Sequence, residues 1–318
     1  MIDTSLIGLT GPKYEMDVER GKIREFVRAV YGNHPAYIDD PHPVMPPTFL
    51  TMAGYIWGYT LERPRGTVFE SINYNTSTTL LAEESYRYHG TPPRAGTTLV
   101  AQTKVEDITV KQGSRGGKLT FFSMLTEFWD QSGALVAEGR CLTVDTERRP
   151  EDDAWATDIP DYQPHYEGYD PPMPFADIEE KGWDDLEPGS GPGTFVMDPL
   201  TVRDIMRYQA ASASETPLHY DLTFARSQGF PSLYFAALQQ GSALASYAVN
   251  WLGPLNVRFT AARINDMVWV GESLTYCGTI ARKYEQDGKR LVDVDLRCCR
   301  ASIPDKAVVK VSMTFDLS

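Results

Sequence analysis

The sequence contains one structural unit twice, and this repeat limits the available folds more than any other feature. A helical pattern in GKIREFVRAVYG (21–32) has a counterpart in LTVRDIMRYQAAS (200–212), and each runs into a loop that contains proline. Matched landmarks further along keep a similar separation, since Gly96 and Gly271 lie 175 residues apart. The 318-residue chain is therefore expected to hold two copies of one unit.

Each copy also combines an apolar helix with long strands. The segments MPPTFLTMAGYIWGYTL (45–61) and GFPSLYFAALQQGSALASYAVNWLG (229–253) both place proline ahead of an apolar helical pattern, where its missing N–H costs least. Two-stranded antiparallel patterns with a short polar turn follow at 119–144 and 291–315. Such a unit, made twice, predicts an α+β fold with two sheets joined edge to edge and a helix packed on each.

These patterns divide the chain into an N-terminal unit, residues 1–145, and a C-terminal unit, residues 183–318. Between them, residues 146–182 are acidic, rich in proline and without sustained periodicity. This composition is typical of an extended connector.

The charge of the chain restricts its partners. Lys and Arg number 30 against 43 Asp and Glu, a net charge of −13, which argues against binding nucleic acid or anionic membranes through a general positive field. The most apolar window, 233–253, is interrupted by polar side chains and is expected to be a buried helix rather than a membrane span. The N-terminal sequence lacks a secretory pattern, so a cytoplasmic location is expected.

Three stretches together resemble one known family. REFVRAVYGNHPAYIDD, RGGKLTFFSMLTEFWDQSGALVAEGR and LTVRDIMRYQAASASETPLHYDLTFARSQGFP are similar to segments of the MaoC-like dehydratase and (R)-specific enoyl-CoA hydratase family. The resemblance covers the chain apart from the connector. It implies a double (tandem) hotdog fold, each hotdog a long helix packed on an antiparallel sheet. The N-terminal hotdog would cradle the substrate, and the C-terminal hotdog would carry the hydratase motif.

The hydratase motif of that family is changed in this sequence. The pattern Ser-Gly-Asp-x-Asn-Pro-(Leu/Ile)-His-x-Asp falls on residues 212–221, where His219 matches and Ser214 stands in place of the catalytic aspartate. The family's His-Gly pair, whose glycine N–H faces the thioester oxygen, falls on Ala236 and Ala237. The resemblance therefore supports family membership more firmly than the usual activity.

Hydration of an enoyl thioester needs a base for water and an acid for the α-carbon. His219 is the candidate for this proton transfer, because an imidazole titrates near neutral pH. Ser214 is neutral and is expected only to position the water. The adjacent Glu215 is a candidate for the missing negative charge.

The reaction also needs a hydrogen-bond donor for the thioester oxygen. The backbone N–H of Ala237, in the first turn of a helix, is the candidate donor. The further substrate-binding candidates are Thr216, Gln239 and Gln240. Ser214 and Thr216 could equally be capping hydroxyls, and Asp221 is predicted to cap the helix that follows it.

The resemblance implies a substrate carried on CoA or acyl-carrier protein, with pantetheine as part of the substrate and with no metal and no separate cofactor. Positive charge for phosphates would come from Arg203, Arg207, Arg226, Arg258 and Arg263. The first unit's helix, about 46–62, is shorter than its counterpart, and by the resemblance a shortened helix here implies room for a long or bulky hydrophobic acyl group. A homodimer or a partner hotdog subunit is also compatible with the resemblance.

Three hypotheses remain at this point. The first is a hydratase or dehydratase that interconverts 2-enoyl and 3-hydroxyacyl thioesters through His219. The second is a catalytically impaired subunit that only binds acyl thioesters. The third is altered chemistry on the same fold, such as thioester hydrolysis or a pathway-specific elimination. The serine at position 214 keeps the second and third open.

Overall fold

The computed structural model describes residues 3–61, 63–72, 79–113, 117–146, 159–161 and 174–318. The strands are β1 (Tyr14–Asp17), β2 (Thr79–Tyr88), β3 (Thr98–Gln112), β4 (Lys118–Trp129), β5 (Leu135–Thr146), β6 (Phe195–Met197), β7 (Val257–Ile264), β8 (Leu274–Gln286), β9 (Lys289–Arg300) and β10 (Ile303–Asp316). The α-helices are α1 (Arg20–Ala29), α2 (Pro35–Ile38), α3 (Ala53–Ile56), α4 (Val202–Ser212), α5 (Leu222–Ser227) and α6 (Ala237–Leu252).

The described strands form one antiparallel sheet in the order β1-β3-β4-β5-β2-β7-β10-β9-β8-β6. The halves meet where β2 pairs with β7, from Glu83 opposite Arg263 to Arg87 opposite Phe259. The two half-sheets are therefore continuous, as the predicted edge-to-edge arrangement requires. Neither β2 nor β7 was among the predicted strands.

In the second half, α6 fills the concave side of the sheet. All its residues from Leu238 to Leu252 are buried, as expected for the apolar window. Gly241 allows the close approach, because a Cβ at this position would lie 2.8 Å from the Cβ of Ala262 on β7. Across the described ranges, the length and hydropathy of every helix fall short of what a bilayer crossing requires.

The first half has no counterpart of α6 in its described residues, so the prediction of a helix over about 46–62 is wrong. The chain instead forms a 3₁₀ helix at Phe49–Met52 and a single α-helical turn, α3. The Arg63 guanidinium donates to the carbonyls of Tyr55 and Ile56, at 2.7 and 3.2 Å, and so takes the acceptors that a continuing helix would use. Gly54 and Gly58 lower the helix propensity of the segment further.

The helices predicted at 21–32 and 200–212 are α1 and α4, and they pack on each other, with the Phe26 and Tyr208 ring centroids 6.1 Å apart. Most of the predicted connector lies outside the described residues. Of its described part, Phe175 is fully buried against Tyr247 in the second half, with ring centroids 5.5 Å apart. The domain boundaries stay a prediction.

Candidate active site

A cavity of about 280 Å³ lies between the two halves. Its first wall comes from β2, β3, β4 and β5, which no long helix covers among the residues that the structure describes. Its second wall comes from α4, the loop after α4 and the start of α6. The cavity therefore lies where the missing helix of the first half leaves space.

The loop after α4 carries the degenerate motif. Helix α4 ends at Ser212, and Ala213 follows in the left-handed conformation with φ of 56°. This is the position where the resembled motif has glycine, the residue that adopts this conformation without steric cost. The chain then turns into a 3₁₀ helix, Pro217–His219, which places His219 against the cavity.

His219 is oriented by a backbone carbonyl. It is 8% exposed, and its Nδ1 lies 2.8 Å from the carbonyl oxygen of Tyr234. Because a carbonyl only accepts hydrogen bonds, Nδ1 carries the proton of the neutral ring and Nε2 keeps its lone pair. Burial lowers the pKa of His219 to about 4, so the ring is neutral at physiological pH. Nε2 is therefore unprotonated at neutral pH and can act as a proton acceptor, although burial makes it a weaker base than a free imidazole.

The Tyr234 segment is itself anchored by a buried ion pair. The Phe235 N–H donates to the Val268 carbonyl at 2.8 Å, next to Trp269. The Trp269 N–H donates to one oxygen of Glu272 at 2.9 Å, and the other oxygen of Glu272 accepts from Arg300 Nε at 2.6 Å. The carbonyl that orients His219 thus belongs to a segment fixed by several hydrogen bonds.

Ala237 is the first residue of α6 and lines the cavity together with His219. The N–H groups in the first turn of a helix have no partner within that helix, and they carry partial positive charge. Such a group can stabilise negative charge on an oxygen in the cavity. The structure thus places the predicted donor and the predicted base in one cavity.

Ser214 and Thr216 also line this cavity, as their candidate roles require. Glu215 is exposed and is not among the lining residues, and its carbonyl accepts a hydrogen bond from the Tyr220 hydroxyl at 3.3 Å. Glu215 is therefore not placed to supply the missing charge. The structure brings together four of the predicted site residues: His219, Ser214, Thr216 and Ala237.

The expectation that Gln239 and Gln240 bind substrate is wrong, because both side chains lie in the core. Gln239 Nε2 donates to the Asp204 carbonyl at 2.9 Å, and Gln240 Oε1 accepts from the Tyr276 hydroxyl at 2.6 Å. Successive helical residues are about 100° apart, so Gln239 lies about 160° from Ala237 around the helix axis and turns away from the cavity. Gln240 lies only about 60° from Ala237, and its hydrogen bond to Tyr276 holds its side chain in the core.

The predicted arginines do not gather into one pocket. Arg263 on β7 lines a separate groove, whereas Arg258, near the other end of β7, forms an ion pair with Asp316 at 3.3 Å. Arg258 donates to the carbonyls of Leu255 and Val257, both at 3.0 Å.

Asp221 accepts from the Phe224 N–H at 2.9 Å, which confirms it as the cap of α5.

Comparisons with known proteins identify the fold that carries this cavity. Residues 5–139 match the family model described as FAS1-like, dehydratase domain region. A solved structure described as a MaoC-like dehydratase is 20% identical, with a TM-score of 0.75 over 99% of both chains. The chain has the double hotdog fold of the MaoC-like dehydratases.

Two further solved structures share this MaoC-like double hotdog fold. A MaoC-like dehydratase from Phytophthora capsici is 16% identical, with a TM-score of 0.64 over 99% of this chain and 97% of the other. A Mycobacterium tuberculosis protein described as a double hotdog is 15% identical, with a TM-score of 0.58 over 98% and 96%. No curated protein matches the sequence.

One cavity residue of this MaoC-like fold was missed in the sequence. Glu84 on β2 lines the cavity, on the same face of the strand as Tyr86. Burial raises the pKa of its carboxyl to about 7. The spacing of Tyr86 and Tyr88 in the sequence could have revealed the position of Glu84. Residues two positions apart on a strand lie on the same face, so Glu84 shares the face of these two tyrosines.

Proposed function

We propose that the protein adds water to a 2-enoyl thioester, or removes it from the 3-hydroxyacyl thioester, with His219 as the proton-transfer group. The observation that carries this proposal is the neutral His219, whose Nδ1 is held by the Tyr234 carbonyl in the cavity that Ala237 also lines. A base and an oxyanion donor at one cavity are what the reaction needs.

The chemistry can be followed atom by atom. Nε2 of His219 takes a proton from water while the water oxygen bonds to the β-carbon. The electrons of the double bond move toward the thioester oxygen, where the Ala237 N–H donates a hydrogen bond. The imidazolium then gives its proton to the α-carbon, and one water has been added. Ser214 can hold the water through its hydroxyl but carries no charge.

The substrate carrier in this proposal is CoA or acyl-carrier protein, and the acyl group is long or bulky. The size of the acyl group is supported by the position of the cavity, which occupies the space left by the absent helix of the first half. The pantetheine arm would enter between the halves.

The test uses purified protein with enoyl-CoA substrates of several chain lengths and follows the absorbance of the conjugated thioester. His219→Ala is expected to lower turnover by about 10²–10⁴. The matched control is His89→Ala, because His89 pairs with Glu138 at 2.9 Å and does not line the cavity. Turnover that survives His219→Ala contradicts the proposed mechanism.

The same assay separates the alternatives. Tight binding of acyl-CoA without turnover would identify a binding subunit, and release of free CoA thiol would identify a hydrolase. Ser214→Asp adds a charge next to the base and is expected to raise turnover if hydration is the reaction.

A further inference from the structure

The first half of the cavity contains a carboxyl group that the proposed hydration does not use. Glu84 lies in the middle of β2, opposite Cys141 on β5 and Ala262 on β7. Its side chain lines the cavity on the side of the first half, whereas His219 and Ala237 belong to the second half. Glu84 is thus placed along the space for the acyl chain.

Only neutral groups surround this carboxyl among the residues that pack on it. The Tyr86 hydroxyl donates to Glu84 Oε1, and the Thr51 hydroxyl forms a hydrogen bond with the same carboxyl. The Tyr208 phenol faces it from α4, and the Cys141 thiol and Ala262 flank it on the sheet.

No Lys, Arg or His forms an ion pair with Glu84 within the part of the chain that the structure describes. The nearest arginine along β5, Arg140, is instead paired with Glu106 at 3.0 Å. A carboxyl with no cation partner in the wall of a cavity is costly to the fold. Groups of this kind are concentrated at functional sites.

The cavity wall near the first half-sheet is also rich in hydroxyl groups. Thr103 and Thr126 lie on neighbouring strands, and their hydroxyl oxygens are 2.8 Å apart. Thr143 and Thr60 line the same cavity. These hydroxyls have protein partners, since Thr143 donates to the Phe122 carbonyl at 3.4 Å and Thr60 accepts from the Arg63 N–H at 3.1 Å. Hydroxyl oxygens keep further acceptor capacity, so this wall suits an acyl group with a polar substituent better than a continuous hydrocarbon surface would.

We propose that Glu84 is a specificity-determining residue that binds a hydroxyl group on the acyl chain of the substrate. This inference rests on the proposed function and names the class of its substrate, a hydroxylated acyl thioester. A carboxyl has acceptor positions beyond those used by Tyr86 and Thr51. A hydroxyl can donate to the charged carboxylate and can accept from the protonated acid, so it suits both forms of Glu84. An alkyl chain can neither donate nor accept, so it removes water from the carboxyl without replacing the lost hydrogen bond.

The test measures binding rather than turnover. Isothermal calorimetry compares butanoyl-, hexanoyl- and octanoyl-CoA with their terminally hydroxylated counterparts, all of them saturated and unreactive toward hydration. For at least one chain length, the wild type is expected to bind the hydroxylated compound about tenfold more tightly. Glu84→Leu is expected to remove this preference and to bind the plain chain more tightly than the wild type does.

Glu84→Gln keeps the shape of the side chain and is expected to give an intermediate preference, which guards against a folding defect in Glu84→Leu. The matched control is Glu83→Gln, because Glu83 is the neighbouring acid on β2 and lines a different groove. Its hydroxyl preference should equal that of the wild type.

An equal hydroxyl preference in the wild type and Glu84→Leu overturns the inference, as does the absence of any preference in a protein that binds every plain acyl-CoA. If no acyl-CoA of either kind binds, the proposed function itself fails. These two failures are therefore distinguishable.

Discussion

Each half of the molecule contributes five strands to the sheet, but over the described ranges a long helix covers only the second half. Helix α6 closes the second half and presents its first turn to the cavity. In the first half, Gly54, Gly58 and the Arg63 contacts end the corresponding helix after one turn, and the cavity takes its place. The comparison teaches that a duplicated fold can divide its work: one copy supplies the reacting groups, and the other supplies the space.

Among the changes considered below, Ala237→Pro is expected to lower turnover most, because it removes the proposed oxyanion donor of the second half. Proline removes the N–H proposed as oxyanion donor but is well tolerated at the first helical position. The preceding Ala236, with φ of −55° and ψ of 133°, already has the extended conformation that proline favours before it. We expect kcat for enoyl-CoA hydration to fall by about 10²–10³ while the fold is retained.

The matched control for this prediction is Ala237→Gly, which keeps the N–H and changes only the helix propensity, by about 1 kcal/mol. Its turnover should stay close to that of the wild type. Normal turnover in Ala237→Pro would show that the second half does not stabilise the thioester oxygen through this group.

The pH dependence of stability should have opposite signs for the buried titratable groups of the two halves. The pKa of His219 is lowered to about 4 by burial, so the unfolded state takes up its proton first as the pH falls below about 6.5. His219 therefore contributes stability above about pH 6.5, and about 3 kcal/mol of it is lost as the pH falls toward 4.

Glu84 behaves in the opposite way. Burial raises the pKa of its carboxyl to about 7, so the folded state holds the proton longer than the unfolded state does. The stability that it contributes at acidic pH is lost as the pH rises from about 4.5 through 7. The effect should be smaller than that of His219, because water in the cavity hydrates part of the carboxylate.

Urea unfolding between pH 4 and 8 checks both signs. Relative to the wild type, His219→Gln should gain stability toward acidic pH, and Glu84→Gln should gain stability toward neutral pH. Curves for the two variants that run parallel to the wild type would mean that neither group is buried as described.

The smallest effect on catalysis is expected from a substitution that fills part of the cavity on the side of the first half. Thr126→Phe adds volume to the cavity wall, and overpacking of this kind costs about 1–3 kcal/mol. We expect KM to rise about tenfold for long enoyl-CoA substrates and less for short ones. Thr126→Val is the control, because it removes the hydrogen bond to Thr103 without adding volume. An equal change in KM for all chain lengths would place the acyl chain elsewhere.

The fold was largely predictable, because the hydrophobic periodicity and the order of the helices and strands repeat in the two halves. The helices at 21–32 and 200–212 and the long strand pairs follow directly from that pattern. The helix expected at 46–62 ends early because Arg63, the residue after the segment, binds the carbonyls of Tyr55 and Ile56, and because two glycines weaken the helix. Neither propensity nor periodicity encodes that contact.

The site was predictable only where a motif fixed it. His219, Ser214, Thr216 and Ala237 line the cavity, whereas Glu215 does not. The phase of α6 turns Gln239 away from the cavity, and a one-residue change of phase, about 100°, is finer than sequence patterns resolve. Gln240 is held in the core by the Tyr276 hydroxyl on β8, a contact that the sequence does not reveal. Glu84 lies outside the segments on which the family resemblance rests.

The outer strands of the sheet have a consequence for how copies of this chain can associate. The edge strands β1 and β6 have only 4 and 3 residues. Irregular segments cover more of the outer edges of their neighbours β3 and β8. On β3, Gly8 and Gly11 donate to the carbonyls of Val105 and Thr103, and on β8, Gly189 donates to the carbonyl of Ile280. Over these stretches, each boundary offers few open backbone groups as a template for another chain. Continuation of the sheet through β1 or β6 into a neighbouring copy is therefore disfavoured.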